Sequence, residues 1–200
     1  MNRIGAFAAP NRARRHVIAA GAALLAGLAT GRTEAQSPVA EDLDVPYVTS
    51  PQNVVDAMLE LAGIGAGDPL LDLGSGDGRI VISAARRFGT RGTGIEIDPR
   101  LIARARADAA AAGVADRTSF LEQDLFTTDL SPASVITLYL LPAVNMKLRP
   151  ALKRLKRGTR IVSHDWDMGD WVPDKTVVVD APAKKVGLAK TSKLMLWVIK

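Results

Sequence analysis

From residue 50 onward, the hydrophobic pattern of the chain alternates between two kinds of segment. Short, nearly continuous apolar runs predict strands over residues 69–73, 93–97, 118–121, 134–141, 159–163, 176–179 and 194–199. Segments in which apolar residues return every three or four positions predict helices over residues 51–62, 78–88, 99–112 and 145–155. Strands that alternate with helices are typical of a parallel sheet covered on both faces. The pattern therefore predicts an α/β domain with a doubly wound, mostly parallel, seven-stranded sheet.

Local signals refine the ends of these elements. Ser50 is a typical N-cap residue and Pro51 a typical first helical residue, so this pair predicts the start of the first helix. Asp98 directly before Pro99 predicts a structural cap of the same kind. The strand over residues 134–141 is apolar nearly throughout, which predicts burial on both faces. No helix is predicted between the last two strands, which are therefore expected to form an antiparallel pair at one edge of the sheet.

The first 35 residues differ in composition from the rest. Arg14 and Arg15 precede an uncharged run of 14 residues, 17–30, that is rich in Ala, Leu and Gly. This run is shorter than the about 20 apolar residues of a membrane span and has the length of a signal-peptide core, with a cleavage site expected after Ala35. The arginine pair also resembles a twin-arginine signal. The sequence therefore predicts a signal peptide or, alternatively, a membrane anchor over residues 1–35, a linker over 36–49 and one domain over 50–200. The protein is expected to be exported to the periplasm or anchored to a membrane.

Charge and cysteine content narrow the classes of function. Five arginines and one glutamate lie within residues 1–35, so most of the formal net charge of +5 belongs to that segment. The rest of the chain is nearly neutral, which argues against nucleic acid as its partner. Residues 147–160 hold seven Lys and Arg and no acid, a run that indicates either a solvated helix face or a contact with nucleic acid or anionic lipid. The chain has no cysteine, which excludes disulfides and cysteine-ligated metal sites.

A glycine-rich segment, Asp72-Leu73-Gly74-Ser75-Gly76-Asp77-Gly78, follows the first predicted strand and precedes a predicted helix. Its glycines allow a sharp turn and let a ligand come close to the backbone, where the amides of the helix N-terminus face it. The third glycine comes two residues after the second rather than three, which departs from the dinucleotide-binding pattern. The segment thus predicts a nucleotide-type site of a different kind.

Polar and acidic residues end three successive strands of the predicted sheet. Asp72 ends the first strand, Glu96 ends the second, and Gln123 and Asp124 follow the third. In open α/β folds these strand ends share the edge at which ligands bind. A carboxylate at Asp72 suits a cationic ligand, Glu96 lies where ribose hydroxyls bind, and Gln123 with Asp124 can address an adenine edge. The pattern predicts a nucleoside site, although Asp72 and Asp77 are also residues that favour turns.

In these features the chain resembles the seven-strand S-adenosylmethionine-dependent methyltransferases, which have a Rossmann-like fold. Residues 72–78 are similar to the first motif of that superfamily, Glu96 to its ribose-binding acid and Asp124 to its adenine-side acid, and the likeness extends over residues 50–200. The resemblance implies S-adenosyl-L-methionine as the cofactor, and we expect a monomeric enzyme without a metal. The cofactor-binding residues that it implies are Asp72, Gly74, Ser75, Gly76, Asp77, Gly78, Glu96, Gln123 and Asp124.

A narrower likeness is to a small family of protein-lysine methyltransferases. It rests on Pro46-Tyr47-Val48, Arg79-Ile80-Val81 and Trp171-Val172-Pro173-Asp174. Eukaryotic members of that family are mitochondrial and methylate membrane proteins such as the ATP synthase c subunit and the adenine nucleotide translocase. The chain departs from them in its first 35 residues and around Ser163-His164-Asp165. The resemblance implies a protein substrate, with membrane proteins among the candidates. A small-molecule methyltransferase and a non-catalytic nucleoside-binding protein are the alternatives.

Three residues are candidates for the acceptor side of the reaction. Tyr139, at the end of the fourth predicted strand, is the first choice for lining the methyl-transfer site. His164 and Asp165 follow the fifth strand at the same sheet edge, and His164 is a candidate base. Each has a structural alternative, as a core aromatic for Tyr139 and a loop anchor for His164. Trp171 and Asp174 in the next loop either form a substrate wall or brace the loop on the sheet.

The implied cofactor conflicts with an exported domain. S-adenosylmethionine is made in the cytoplasm, and a protein exported with one bound molecule would complete few turnovers. The cofactor therefore favours access to the cytoplasm, as an uncleaved anchor would allow.

Overall fold

The computed structural model describes residues 47–185 and 187–200. The predicted segment 1–35 and residues 36–46 of the predicted linker lie outside the described residues. Within the described part, no helix combines the length and the apolar character needed to cross a bilayer.

The described residues contain four helices and seven strands. The helices are α1 (Gln52–Ala62), α2 (Arg79–Phe88), α3 (Pro99–Ala111) and α4 (Pro142–Leu152). The strands are β1 (Leu70–Leu73), β2 (Gly92–Glu96), β3 (Thr118–Glu122), β4 (Val135–Leu138), β5 (Arg160–His164), β6 (Lys175–Asp180) and β7 (Thr191–Val198).

All seven strands form one sheet in the order β3-β2-β1-β4-β5-β7-β6. The first five strands of that order are parallel, and β7 is antiparallel to both β5 and β6. The predicted seven-stranded α/β fold with an antiparallel C-terminal pair is therefore confirmed. The strand order reverses beside β1, which has β2 on one side and β4 on the other, and ligands of open α/β sheets bind at such a reversal.

Two apolar clusters cover the two faces of the sheet. One holds the buried sides of α1, α2 and α3, with Met58 and Leu59 fully buried. The other holds α4 and the C-terminal strand, with Leu152 and Trp197 fully buried. All four residues of β4 are buried, as the apolar run predicts for a central strand. This two-sided core fixes the strand ends that carry the site.

The boundaries around β4 and α4 differ from those predicted. The strand ends at Leu138 rather than 141, and the helix begins at Pro142 rather than 145. Proline suits the first helical turn because an N–H at that position would have no acceptor within the helix. Pro142 therefore marks the start of α4, which the apolar pattern alone did not show. The helix ends at Leu152, and the next turn is tightened by a bond from Leu155 N to Leu152 O.

The two predicted caps have different outcomes. Asp98 caps α3 as predicted, since its Oδ1 accepts a hydrogen bond from Arg100 N at 2.8 Å. The prediction for Ser50 is wrong. Pro51 occupies the N-cap position of α1 without a side-chain bond, and the hydroxyl of Ser50 binds the imidazole of His164 instead.

Candidate functional site

A cavity of about 330 Å³ lies at the carboxyl ends of the central strands. Its wall includes most of the predicted cofactor-binding residues: Asp72, Gly74, Ser75, Gly76, Asp77, Glu96, Gln123 and Asp124. Tyr139 also lines it. Gly78, His164 and Asp165 are not among the residues of the wall. The structure thus gathers the cofactor candidates and one of the three acceptor candidates around a single space.

The glycine-rich turn is hydrogen-bonded to the neighbouring strand and leaves space for a ligand and for the aromatic ring of Tyr47. The amides of Gly74 and Ser75 both donate to Ile95 O at 2.9 Å. Gly76 has φ of 55°, and a Cβ there would lie 2.7 Å from Cε2 of Tyr47. Glycine at position 76 is therefore required both by its left-handed backbone and by the aromatic ring that covers it.

Gly78 is a predicted cofactor residue that lies outside the cavity wall and has a packing role. A Cβ at this position would lie 2.5 Å from Cε1 of Phe120 and 2.8 Å from Cβ of Ala105. Glycine at this position therefore lets the start of α2 pack closely against β3 and α3. Its contact with the cofactor stays a prediction.

Asp72 is a buried carboxyl group at the base of the cavity. It is 2% exposed, and its Oδ1 accepts a hydrogen bond from Thr137 Oγ1 at 2.7 Å. Its Oδ2 has no hydrogen-bond partner among the described residues. Burial raises the pKa of Asp72 to about 7, the bond from Thr137 opposes this, and the charges of Glu96 and Asp77 add to it. A half-satisfied buried carboxylate among other acids is a favourable site for a cationic ligand.

Glu96 extends across the end of β2 toward the glycine turn. Its Oε2 accepts a hydrogen bond from Gly76 N at 2.8 Å, and its Oε1 accepts from Ile97 N at 2.8 Å and Asp98 N at 3.0 Å. Three backbone donors hold the carboxylate at the cavity wall in one orientation. At this position a carboxylate can accept hydrogen bonds from the hydroxyl groups of a ribose.

Gln123 and Asp124 form the third polar part of the wall. Gln123 N donates to Glu96 O at 3.0 Å, so the loop after β3 is tied to β2. Asp124 Oδ1 accepts from Phe126 N at 2.8 Å, which turns the chain and places Leu125 and Phe126 at the cavity as well. The pairing of polar and apolar groups suits the flat face and polar edge of a nucleobase.

Asp77 lies in the wall and forms an ion pair. Arg79 Nε donates to its Oδ1 at 2.8 Å, and the same guanidinium donates through Nη1 to Ser50 O at 2.8 Å. Burial favours a higher pKa for Asp77, but the bonds and charge of Arg79 hold it below the ordinary value. The pair ties the glycine turn to the segment before α1.

That segment, residues 47–50, is the part of the site that sequence reasoning missed. Tyr47, Val48, Thr49 and Ser50 all line the cavity. The pKa of Tyr47 is raised by burial and by the neighbouring carboxylate of Asp77. The sequence offered only the tripeptide at 46–48 as part of a family likeness, because no local pattern predicts that an extended segment folds back over a turn 22 or more residues away.

Tyr139 follows β4 and is half-buried in the cavity wall. Its ring stacks on the imidazole of His164, with 3.9 Å between ring centroids and 24° between ring planes. Burial and the charge of Asp165 raise the pKa of Tyr139, so its phenol is neutral at physiological pH. The prediction that Tyr139 faces the acceptor side remains a prediction, and its position is compatible with it.

His164 does not occupy the position of a base that touches a substrate. It is 0% exposed, and its Nδ1 and Nε2 lie 2.8 Å from Ser50 Oγ and Ser192 Oγ. Burial lowers its pKa to about 4, although the nearby Asp165 carboxylate opposes the shift. Of its two predicted roles, the loop anchor fits the geometry, because both ring nitrogens are engaged by serine hydroxyls of the protein.

Asp165 ties the chain after β5 to the loop between β6 and β7. It has φ of 61°, its Oδ1 accepts from Lys193 N at 3.1 Å, and its Oδ2 lies 2.7 Å from Lys184 Nζ. Its role in this structure is to hold that loop, so a direct catalytic role does not follow from its geometry.

Trp171 and Asp174 brace the loop after β5 on the sheet. Trp171 O accepts from Trp197 Nε1 at 2.8 Å, and Asp174 Oδ2 accepts from Val198 N at 2.8 Å. Most of the basic run lies on the exposed side of α4 and in the turn after it, where Leu148 and Leu152 pack inward, whereas Arg160 lies in β5 and donates to the carbonyls of residues 62 and 63. Since α4 starts at the cavity edge of the sheet, its basic C-terminal end points away from the site. No cluster of three or more potential metal ligands occurs among residues 47–185 and 187–200.

The family comparison gives a direct match. Residues 72–175 match the model of the ANTKMT methyltransferase domain. The chain is 43% identical over 138 residues to a protein-lysine N-methyltransferase of Saccharolobus islandicus, covering 68% of this chain and 86% of that protein. It is 35% identical over 133 residues to the adenine nucleotide translocase lysine N-methyltransferase of Mus musculus, covering 66% of this chain and 57% of that protein. The chain thus spans little more than half the length of this second relative.

A solved structure shares both sequence and fold. The chain is 54% identical, with a TM-score of 0.68, to an RNA methyltransferase from Salinibacter ruber in complex with S-adenosyl-L-homocysteine. The match covers 76% of this chain and 94% of that one. The free Oδ2 of Asp72, the fixed carboxylate of Glu96 and the cradle at Gly76 fit a nucleoside of this kind and its sulfonium-bearing methyl donor, S-adenosylmethionine. The chain therefore belongs to the family defined by the ANTKMT methyltransferase domain and is an S-adenosylmethionine-dependent methyltransferase.

Proposed function

We propose that this methyltransferase modifies lysine side chains of proteins. The observation that carries the proposal is the 43% identity over 138 residues to the protein-lysine N-methyltransferase of S. islandicus. The charge of the cavity wall agrees with it, because the wall holds five acids, of which Asp72, Glu96 and Asp124 are assigned to the cofactor. The one basic residue in that wall, Arg79, is paired with Asp77. Such a wall attracts a cation and repels a polyanion.

A lysine must meet two conditions at this site. When bound, S-adenosylmethionine supplies an electrophilic methyl group, so that a C–N bond forms at the acceptor as the C–S bond of the sulfonium breaks. The ammonium of lysine must first lose a proton, and desolvation favours the neutral amine. Leu140 and Val144 give the wall an apolar surface on the β4 side, where water is displaced as the side chain enters.

Tyr139 is the residue that we assign to the acceptor. A tyrosine phenol is neutral at physiological pH, and burial raises the pKa of Tyr139 further, so its oxygen can accept a hydrogen bond from an amine N–H. That bond would turn the nitrogen lone pair toward the methyl group, and positioning of this kind is the main catalytic contribution that a methyl transfer requires.

RNA is the second candidate acceptor, because the relative from S. ruber is an RNA methyltransferase at 54% identity. The exposed basic residues of α4 and its following turn, Lys153, Arg154, Lys156 and Arg157, offer phosphate contacts. These residues lie at the far end of the helix from the cavity. An RNA strand bound there would have to extend along α4 to an acidic wall that repels its phosphates, so the charge of the wall favours lysine.

The experiment is a labelling assay with the purified full chain. Methyl-labelled S-adenosylmethionine is added to a membrane-enriched extract and to total RNA from cells that lack the protein. We expect label that is sensitive to protease and resistant to ribonuclease, and mass spectrometry should place the added methyl groups on lysine. Label confined to RNA, or to small molecules, would overturn the proposal.

The matched control is Glu96→Ala, which removes the carboxylate fixed by three backbone amides. At a cofactor concentration near the Kd of the parent, this variant should label about ten- to hundredfold more slowly, because its affinity for the cofactor is lower by that factor. Equal labelling by parent and variant would point to a contaminating activity.

We also propose that residues 1–35 direct the domain to a membrane, as a signal or as an anchor. The arginine pair followed by an uncharged run supports this location. Cell fractionation with N-terminal sequencing of the natural protein tests it. A cleaved N-terminus after Ala35 would identify a signal, an intact one in the membrane fraction would identify an anchor, and an intact soluble protein would refute the proposal.

A further inference from the structure

His164 is a buried histidine whose surroundings come from three distant parts of the chain. Ser50 Oγ lies 2.8 Å from Nδ1, and Ser192 Oγ lies 2.8 Å from Nε2. A neutral imidazole has one donor and one acceptor nitrogen, and a serine hydroxyl can play either part, so both bonds are satisfied in either tautomer. The ring is therefore held at both ends and cannot turn without losing a bond.

The face of this fixed ring carries Tyr139. The centroids are 3.9 Å apart and the planes are 24° from parallel, so the two rings stack along most of their area. His164 is fully buried, whereas Tyr139 is half-buried and reaches the cavity wall. The buried imidazole thus packs against a side chain that lines the cavity.

His164 is also connected to the cofactor side of the site through hydrogen bonds. Ser50, which holds Nδ1 through its hydroxyl, accepts a hydrogen bond through its carbonyl from Arg79 Nη1 at 2.8 Å. Arg79 is bonded in turn to Asp77 in the glycine-rich turn. A continuous set of contacts therefore links the cofactor turn to the ring of Tyr139.

We propose that His164 is a positioning residue for methyl transfer, whose serine-held ring fixes Tyr139 in the cavity wall at the orientation that the acceptor requires. The proposal rests on the acceptor-side role of Tyr139 given above. It differs from base catalysis because His164 touches no reacting atom and acts only through Tyr139.

The first test observes Tyr139 directly and needs no acceptor. The chain has two tyrosines, Tyr47 and Tyr139, so a protein with isotope-labelled tyrosine rings gives two sets of ring signals in an NMR spectrum. Tyr139→Phe identifies which set belongs to Tyr139. In His164→Leu we expect the Tyr139 signals to move, because the stacked ring is gone, while the Tyr47 signals stay in place. Unmoved Tyr139 signals in a folded variant would overturn the proposal.

The second test separates positioning from stability by kinetics. His164→Leu should lower kcat about tenfold, since misplacement of a positioning group slows the chemical step. The KM for cofactor and the Kd for S-adenosylhomocysteine should stay within about twofold of the parent. His164→Phe keeps a flat ring against Tyr139 but loses both serine bonds, so it should recover only part of the lost kcat. A parent-like kcat in His164→Leu, or equal losses in both variants, would contradict a role through ring stacking.

Ser50→Ala gives a milder variant in case His164→Leu does not fold. It removes one bond to the imidazole, so we expect a smaller shift of the Tyr139 signals and a kcat lower by about threefold. The matched control is Ser83→Ala, which removes another buried serine hydroxyl that accepts from Gln52 Nε2 at 3.0 Å and is remote from His164. If Ser50→Ala behaves like Ser83→Ala in both measurements, the proposal fails. If the parent methylates no lysine, the proposed function fails instead, and the tyrosine signals still decide the stacking.

Discussion

The cofactor side and the acceptor side of the cavity are built from the same sheet edge in different ways. On the cofactor side, most partners are near in sequence, as with Gly76 and Glu96, which are 20 residues apart, and the bond of Asp72 to Thr137, 65 residues away, is the exception. On the acceptor side, Ser50 and His164 are 114 residues apart, and His164 and Ser192 are 28 apart. A site made from neighbouring turns leaves a readable motif, whereas a site assembled by folding leaves isolated residues.

The two sides also differ in how their buried titratable groups are satisfied. Asp72 keeps an oxygen without a partner in the described structure, and its pKa is raised to about 7. His164 has both nitrogens bonded, and its pKa is lowered to about 4. The carboxyl group is thus arranged for a ligand, and the imidazole is arranged for the protein itself.

The largest expected effect is the pH dependence of stability contributed by His164. An unfolded histidine has a pKa of about 6.5, so between pH 6.5 and 4 the unfolded chain binds a proton that the folded protein does not. As the pH is lowered through that window, the free energy of unfolding should decrease by up to about 3 kcal/mol. Urea unfolding at several pH values measures it. His164→Phe should show a weaker dependence, and identical curves would mean that the imidazole is not desolvated.

On the cofactor side of the cavity, Asp72 should make cofactor binding depend on pH. Because its pKa is about 7, affinity for the cationic cofactor should weaken as pH falls below 7, by up to about tenfold per pH unit. Asp72→Asn should reduce the affinity about a hundredfold at pH 8 and abolish this dependence. Its thermal stability without ligand should equal or exceed that of the parent, since a buried charge is removed. Calorimetric titration and thermal unfolding measure both, and retained tight binding by the variant would contradict the account.

Glu96→Ala should weaken cofactor binding without a change in fold. Charge-assisted bonds to a ribose contribute roughly 1.5–3 kcal/mol, which is about ten- to hundredfold in affinity. Titration with S-adenosylhomocysteine measures the loss. Glu122→Ala provides a control, because Glu122 is an exposed acid at the end of the adjacent strand. Equal affinities in all three proteins would show that Glu96 does not face the ligand.

Tyr139→Phe should separate the acceptor side from the cofactor side. The ring and its stacking on His164 remain, and only the hydroxyl is lost. We expect methyl transfer to slow by about tenfold, as for one lost hydrogen bond of about 1.4 kcal/mol in the transition state, with cofactor affinity preserved. Single-turnover kinetics with the identified acceptor measures the rate. A parent-like rate would assign Tyr139 to packing alone.

The fold and most of the cofactor site could be predicted from sequence because their signals are local. The apolar runs that form β1 and β4 and the glycine turn at 72–78 each specify structure within a short window. Within that turn, Gly78 has a packing role against Phe120 that the sequence did not predict. Sequence alone does not distinguish a glycine that admits a ligand from one that admits a neighbouring side chain.

The acceptor side could be predicted only as candidate residues. Ser50 before Pro51 has the pattern of a helix cap, yet tertiary contact directs its hydroxyl to His164. His164 has the pattern of a base at a sheet edge, yet β7 covers it. In both cases the role of the residue depends on a contact with a segment distant in sequence, and no spacing pattern in the sequence predicts such a contact.

The most direct test of the account is calorimetric titration of the full chain with S-adenosylmethionine, S-adenosylhomocysteine and NAD. The acidic wall, with the free oxygen of Asp72 and the fixed carboxylate of Glu96, predicts binding of both sulfur nucleosides and no preference for the pyrophosphate-bearing NAD. Absence of heat with either sulfur nucleoside from a folded protein, or tighter binding of NAD, would contradict the central claim.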